Sequence, residues 1–244
     1  TEAAPVVGQR VGFGYEGEEV LSDLQLELKA GTTVAVVGPT ASGKSTLGLL
    51  LARLWDPDSG SIQLAGRDLR QFARSELPKE VAYVSQSAFL FDATVRENIT
   101  LDGAFSDEEV ALALRLAGAD DFVAELSHGV DTELGERGTN LSGGQRQRLV
   151  LARVLAADPE ILILVEPTSA VDAHTEARVA DRLHDHRAGR TTVVTTSSPL
   201  LLDRVDEVAF LRDGVVVATG PHRDLLRDVP AYRAVVTREE EVTV

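Results

Sequence analysis

The sequence predicts an α/β fold in which helices cover a mainly parallel sheet. Residues 34–37 (Val-Ala-Val-Val) and 161–165 (Ile-Leu-Ile-Leu-Val) are short, continuously apolar runs, as strands buried on both faces are. Segments of helical composition alternate with such runs along the chain, the pattern of a helix-covered parallel sheet. A Gly-rich loop follows the first run and leads into Leu47, Leu50, Leu51 and Leu54 at helical spacing.

The composition allows a large core. The 244 residues are 43% hydrophobic, enough for one large domain or two small ones without staples. The absence of Cys excludes disulfides and thiolate metal sites. The apolar runs are far too short to cross a bilayer, and no signal-peptide pattern is visible at the N-terminus. A chain with no Met that starts at Thr1 reads as a piece trimmed from a longer protein. The formal charge of −15 argues against a large basic patch for nucleic acid and is read as a solubility feature.

Taken in order, residues 6–15 and 24–28 alternate apolar and polar positions, as half-buried strands do, and Gly31 ends that stretch. Residues 34–37 form a buried strand, 38–43 a loop and 47–54 a helix. Residues 60–64 and 81–85 read as further strands. Ser106 and Glu109 have the spacing of a capping box before a helical stretch at 110–117. A second helix starts near Ser142 and runs to Ala157, where Asp158-Pro159 stops it. Residues 161–165 and 192–196 are strands on either side of a helix at 173–187. Asp213-Gly214 between 208–211 and 215–219 signals a hairpin. Glu239-Glu240-Glu241 reads as a solvated tail.

The loop Gly38-Pro39-Thr40-Ala41-Ser42-Gly43-Lys44-Ser45-Thr46 has the chemistry of a phosphate cradle. Glycines let the backbone N–H groups turn inward around a β-phosphate. The helix beginning near Lys44 adds its positive dipole end. Lys44 would meet the β- and γ-phosphates, and the Ser45 hydroxyl is placed to ligate Mg²⁺. A buried strand before the loop and an apolar helix after it favour this over a chance Gly-rich turn.

Downstream lies Leu141-Ser142-Gly143-Gly144-Gln145. Its hydroxyl and exposed N–H groups at a helix start suit an anion. The phosphate loop followed by this segment resembles the ATP-binding-cassette (ABC) family, and the resemblance covers essentially the whole chain. It implies a P-loop ATPase core with a parallel sheet, an N-terminal antiparallel β subdomain and an α-helical subdomain at about 88–145. The whole of 1–244 would be a single nucleotide-binding domain whose transmembrane domain lies outside this chain. The implied cofactors are ATP and Mg²⁺. Tyr15, in Val11-Gly12-Phe13-Gly14-Tyr15, matches the aromatic that stacks on adenine. Gln86 matches the glutamine that approaches Mg²⁺ and the attacking water. Leu141 to Gln145 and Asp172, in Ser169-Ala170-Val171-Asp172, would complete the ATP site of a partner domain. Residues 89–99 (Phe-Leu-Phe-Asp-Ala-Thr-Val-Arg-Glu-Asn-Ile) resemble the exporter segment that docks onto coupling helices of transmembrane domains. Residues 132–138 (Thr-Glu-Leu-Gly-Glu-Arg-Gly) resemble an exporter stretch just before the signature. The implied location is the cytoplasmic face of the cell membrane, with no nucleic-acid partner.

Two positions depart from the family pattern. Val165 stands where an Asp that holds Mg²⁺ is usual, and valine can neither accept a hydrogen bond nor carry charge. Glu166 remains as the residue that would polarise water. Ser197 stands where a switch His is usual. His184 and His186, two apart on a helix, point in different directions and read as surface residues. His128, His174 and His222 read as exposed loop or helix-start residues. Both departures weaken the site on this chain's own loop and spare the signature and Asp172. That pattern favours the degenerate half of a heterodimeric exporter. A homodimer in which Glu166 still catalyses, with Val165 engineered or drifted, stays open, as does a soluble ABC ATPase without transport function.

Overall fold

The computed structural model describes residues 5–238 except Arg74, Ala88 and Asp102, so the acidic tail at 239–241 lies outside the described residues. The chain runs β1 (Val6–Tyr15), β2 (Glu18–Leu28), β3 (Thr33–Val37), α1 (Lys44–Leu51), β4 (Ser59–Leu64), β5 (Arg67–Asp68), α2 (Leu77–Glu80) and β6 (Val81–Val84). It continues with α3 (Val95–Thr100), α4 (Asp107–Leu116), α5 (Asp120–Glu125), α6 (Gly143–Ala157), β7 (Ile161–Val165), α7 (Ala173–His186) and β8 (Thr191–Thr195). It closes with α8 (Pro199–Leu202), β9 (Glu207–Arg212), β10 (Val215–Gly220), α9 (His222–Asp228) and α10 (Pro230–Thr237). Two compact units result: residues up to 83, 160–165 and from 187 on form the first, and 84–159 with 166–186 form the second. The helical stretch expected at 88–145 falls inside the second unit, which extends beyond it at both ends. No helix among the described residues is long and apolar enough to cross a membrane.

The first unit holds two sheets. An antiparallel sheet has the order β2-β1-β4-β5, and a mixed sheet has the order β10-β9-β3-β8-β7-β6. β3 lies parallel to both β8 and β9, and β7 lies parallel to β8. All five residues of β7 and of β8 are buried, which is why β7 reads as a continuous apolar run. Leu47, Leu50 and Leu51 of α1 close the core against Val34, Val36, Ile161, Ile163 and Val193. The Asp213-Gly214 turn has positive φ at both residues, the backbone of a type I′ hairpin between β9 and β10.

Three sequence expectations need correction. α1 ends at Leu51 rather than Leu54. Arg53 enters the left-handed region, its N–H bonds Leu50 O and the Leu54 N–H bonds Leu49 O, which is a Schellman stop. Leu54 is therefore exposed. The second strand begins at Glu18, well before residue 24, because β1 pairs with it along its full length. His222 does start a helix, but it is buried, with Nδ1 2.7 Å from the Tyr232 hydroxyl. Burial pushes its pKa below the ordinary value. Arg187 lies just past α7 and is also buried. It donates to Glu160 O and Thr191 O, and desolvation lowers its pKa to about 10.

In the second unit, α3 and α4 pack on α6. α4 opens with the expected Ser106–Glu109 capping box, and Thr94 with Glu97 forms a second box at α3.

Candidate nucleotide site

In the first unit the loop leaves β3 where a side chain would not fit. A Cβ on Gly38 would sit 2.1 Å from Leu211 O and 2.5 Å from Ser42 Oγ. Gly43 has φ 98°, and a Cβ there would meet Leu21 Cδ2 at 2.6 Å. Ala41 is also left-handed, at φ 64°. Between these points Ser42 is buried, and its Oγ has no hydrogen-bond partner. α1 then starts at Lys44 with no side-chain cap and no acidic residue in its first turn. Its first N–H groups are left to a ligand, and its dipole favours an anion. Lys44 Nζ donates to Gly38 O at 2.7 Å and Pro39 O at 2.8 Å, folding its charge back over the loop. Thr40, Ala41 and Ser45 are exposed and Pro39 is half-buried, while Thr46 is buried. The orphaned hydroxyl, the crowded glycines and the uncapped helix start together fit a polyphosphate.

Tyr15, at the end of β1, is 38% exposed, and its hydroxyl lies 3.3 Å from Thr46 Oγ1. Its ring meets Phe13 at 5.0 Å and Trp55 at 6.0 Å, both edge-on, so it is braced from two sides yet open to stacking.

Val165, the last residue of β7, is 3% exposed, and its Cγ2 would lie 3.4 Å from a Cβ on Gly48 of α1. Thr195 of β8 is opposite it in register, buried, with an Oγ1 that has no partner. An apolar side chain thus stands beside a hydroxyl that a carboxylate could satisfy. Ser197, two residues past β8, is half-buried. A divalent cation held by protein carboxylates does not fit these residues. Val165 offers no oxygen, and among the described residues no group of three His, Cys, Asp or Glu side chains could hold a metal.

In the second unit Ser142 caps α6. Its Oγ accepts the Gln145 N–H at 3.2 Å, and Gln145 Oε1 accepts the Ser142 N–H at 2.8 Å. This capping box satisfies Ser142 and Gln145 from within and leaves the Gly143 and Gly144 N–H groups at the helix mouth. Leu141 is buried, and its carbonyl accepts from Arg146. Asp172 caps α7 by accepting the Thr175 N–H at 3.0 Å, a bond that holds its carboxyl below the usual range. Glu166 is half-buried in the left-handed region at φ 46°, a costly backbone for a non-glycine residue. Gln86, two residues past β6, is exposed. The expected site residues therefore divide between the units. Tyr15, residues 38–46, Val165 and Ser197 belong to the first; Gln86, residues 141–145, Glu166 and Asp172 belong to the second.

Sequence reasoning missed several residues that order the second unit. Thr94 and Glu133 form an antiparallel bridge, flanked by Val95 N–H to Thr132 O and Leu134 N–H to Ala93 O. The segments at 89–99 and 132–138 are thus one structure. Buried Asn98 holds Phe91 through its backbone N–H and carbonyl, and Arg153 donates to Asn98 O and Phe89 O. Phe89 and Phe91 stay exposed, edge-on to each other at 5.1 Å. Gln147 of α6 bonds Ser169 and Ala170 in the segment after β7. Apart from those between Asn98 and Phe91, which are seven residues apart, these hydrogen bonds join residues 19 or more positions apart, so no local motif announces them.

A mixed sheet with a phosphate-loop turn, an antiparallel sheet beside it and a helical unit with a capped Ser-Gly-Gly helix start define the ABC ATPase fold. The chain belongs to the ABC transporter family, which it matches over residues 21–169. It is 41% identical over 228 residues to the ATP-dependent lipid A-core flippase of Escherichia coli (strain K12), an alignment covering 92% of this chain and 39% of the flippase. The flippase of Shigella flexneri matches equally. Among solved structures, a bacterial Atm1-family ABC exporter with ATP bound aligns with a TM-score of 0.92 at 37% identity, covering 97% of this chain and 42% of the exporter. This chain thus spans about two-fifths of the length of the flippases it matches.

Proposed function

We propose that this chain is the ATP-binding domain of an exporter-type ABC transporter and the half whose own site hydrolyses poorly. It binds ATP with residues 38–46 and stacks the adenine on Tyr15. A second nucleotide-binding domain pairs with it, and Leu141 to Gln145 with Asp172 completes the partner's ATP site. Closure of the pair drives transmembrane domains at the cytoplasmic face of the membrane. Those domains dock on the segment carrying Phe89 and Phe91. The flippase relatives and the ATP-bound exporter support the exporter reading.

The observation that carries the degenerate-site reading is Val165, an apolar side chain buried at the strand end next to Glu166. Mg²⁺, when bound with ATP, neutralises phosphate charge and orders water. Ser45 can offer it a hydroxyl, and Val165 can offer nothing. Glu166 can polarise water, a contribution of roughly 10²–10⁴ in rate where the geometry is set. Ser197 is too short to act as the switch His does and cannot become a cation. The triphosphate on this chain then serves mainly as a clamp between the two domains.

The test is turnover by the assembled transporter with each base substituted in turn. Substituting the partner's base should abolish hydrolysis, and Glu166→Gln should leave most of it. Equal loss from both overturns the degenerate-site reading. The retention of Glu166 favours a second reading, a homodimer that catalyses with it. Concentration-dependent ATPase activity from this chain alone would select that reading.

A further inference from the structure

α6 approaches the segment after β7 more closely than any side chain would allow. A Cβ on Gly144 would sit 2.4 Å from Ala170 O. One turn further along α6, Gln147 spends its whole amide on that segment. Its Nε2 donates to Ser169 Oγ at 2.9 Å and to Glu166 O at 3.3 Å, and its Oε1 accepts the Ala170 N–H at 2.9 Å. The anchored segment is strained at one end, where Glu166 has φ 46°. At its other end it is tied to α7, because Thr168 Oγ1 donates to Glu176 Oε1 at 2.6 Å and Asp172 caps that helix.

We propose that Gln147 is a positioning residue that locks the signature helix to the 166–170 segment. The Gly143–Gly144 helix mouth, the Ser169-Ala170 turn and the backbone bearing Glu166 then move as one body. The surface offered to a partner's triphosphate is thereby coupled to the backbone of this chain's own base. This rests on the ATPase reading above. Only an amide does this work: the three contacts need two donor directions and one acceptor at one side-chain tip. Glutamate keeps the length and the acceptor but sets a carboxylate against the Glu166 carbonyl, and methionine keeps the length alone.

The experiment uses the assembled transporter with its partner chain. Gln147→Met and Gln147→Glu should each lower kcat roughly 10- to 100-fold, the scale of a small misplacement at a reacting centre. KM for ATP should stay within about twofold, because neither domain's phosphate loop is changed. Gly144→Ala should cost a similar factor. Gln147→Met combined with Gly144→Ala should cost little more than either alone, because both act through Ala170. Additive losses, or an unchanged kcat for Gln147→Met, overturn the proposal. Hydrogen exchange supplies a readout independent of turnover: residues 166–170 should exchange faster in Gln147→Met while residues 38–46 do not. Unchanged exchange overturns the clamp even if turnover falls. A wild-type assembly without ATPase activity would overturn the ATPase reading, and the exchange result would still decide the clamp.

Discussion

Val165→Asp tests whether this chain's own site has lost its metal carboxylate and kept its phosphate cradle. The two side chains are similar in size, so the cost is charge burial rather than overpacking. Val165 is 3% exposed, and an uncompensated buried charge costs about 3–5 kcal/mol. Thr195 Oγ1, buried and unpartnered opposite it, can donate to the new carboxylate. A hydrogen bond to a charged group returns about 1.5–3 kcal/mol. The net destabilisation is then on the order of 2 kcal/mol, a fall of roughly 4–8 °C in Tm for a domain of this size. A cation bridging ATP and the new carboxylate should reverse that loss. A ligand at 100 times its Kd contributes about 2.7 kcal/mol. The assay is thermal melting of both forms with ATP, in EDTA and in Mg²⁺. The wild-type chain should be stabilised by ATP almost equally in the two conditions. The variant should melt lower in EDTA and recover in Mg²⁺. A wild-type chain whose ATP stabilisation depends on Mg²⁺ as steeply as the variant's would refute the reasoning, because some other group would then be placing the metal.

Other perturbations probe single contacts. Trp55 is the chain's one tryptophan and lies 6.0 Å from Tyr15, so ATP binding should change its fluorescence. Tyr15→Ala should weaken ATP binding by about 1–3 kcal/mol, the worth of base–aromatic stacking, and an unchanged titration would remove adenine from Tyr15. Gly38→Ala should cost about 1–3 kcal/mol of stability and weaken ATP binding, since its Cβ would fall 2.1 Å from Leu211 O, which is backbone. Denaturant midpoints and the Trp55 titration would show both. His222 makes stability depend on acid. Its folded pKa is lowered, first by burial and then by Arg223, with Asp203 opposing, so its contribution is full above the ordinary His range. That contribution is lost as pH falls through the lowered value, because the unfolded chain then binds the proton more readily. Denaturation from neutral to mildly acidic pH should show the loss, and His222→Phe should flatten that part of the curve.

The parts of the fold that sequence revealed are those set by neighbours in the chain. β3 and β7 are legible because strands buried on both faces need no polar alternation. The Ser106–Glu109 box and the Asp213-Gly214 turn are legible because their hydrogen bonds close within a few residues. The end of α1 was misread because apolar spacing continues to Leu54, and the backbone turn at Arg53 leaves no mark in hydrophobicity. His222 was misread because a polar residue at a helix start is usually exposed, and its partner Tyr232 lies on the next helix. In the candidate site, the phosphate loop and the signature were visible as contiguous motifs. Gln147, Asn98 and Arg153 were not, because their roles depend on residues 19 to 64 positions away.

The distribution of the departures bears on their origin. Val165 ends β7, and Ser197 follows β8, the strand paired with β7 in register from Ile161–Thr191 to Val165–Thr195. The second unit keeps a complete capping box at Ser142, a glycine at 144 that nothing else could replace, and the three-bond anchor of Gln147. The Gln147 anchor among them also holds the backbone of Glu166, this chain's own candidate base. Under the proposed pairing, a second domain relies on the capped helix start at Ser142. The phosphate cradle is retained as well, with its crowded Gly38 and orphaned Ser42 hydroxyl, as the proposed ATP clamp requires. In a homodimer Val165 would remove the metal carboxylate from both sites at once and leave Glu166 as the carboxylate of each. In the proposed heterodimer the same substitution would silence one site and leave the other, completed by this chain's α6, to reset the pair.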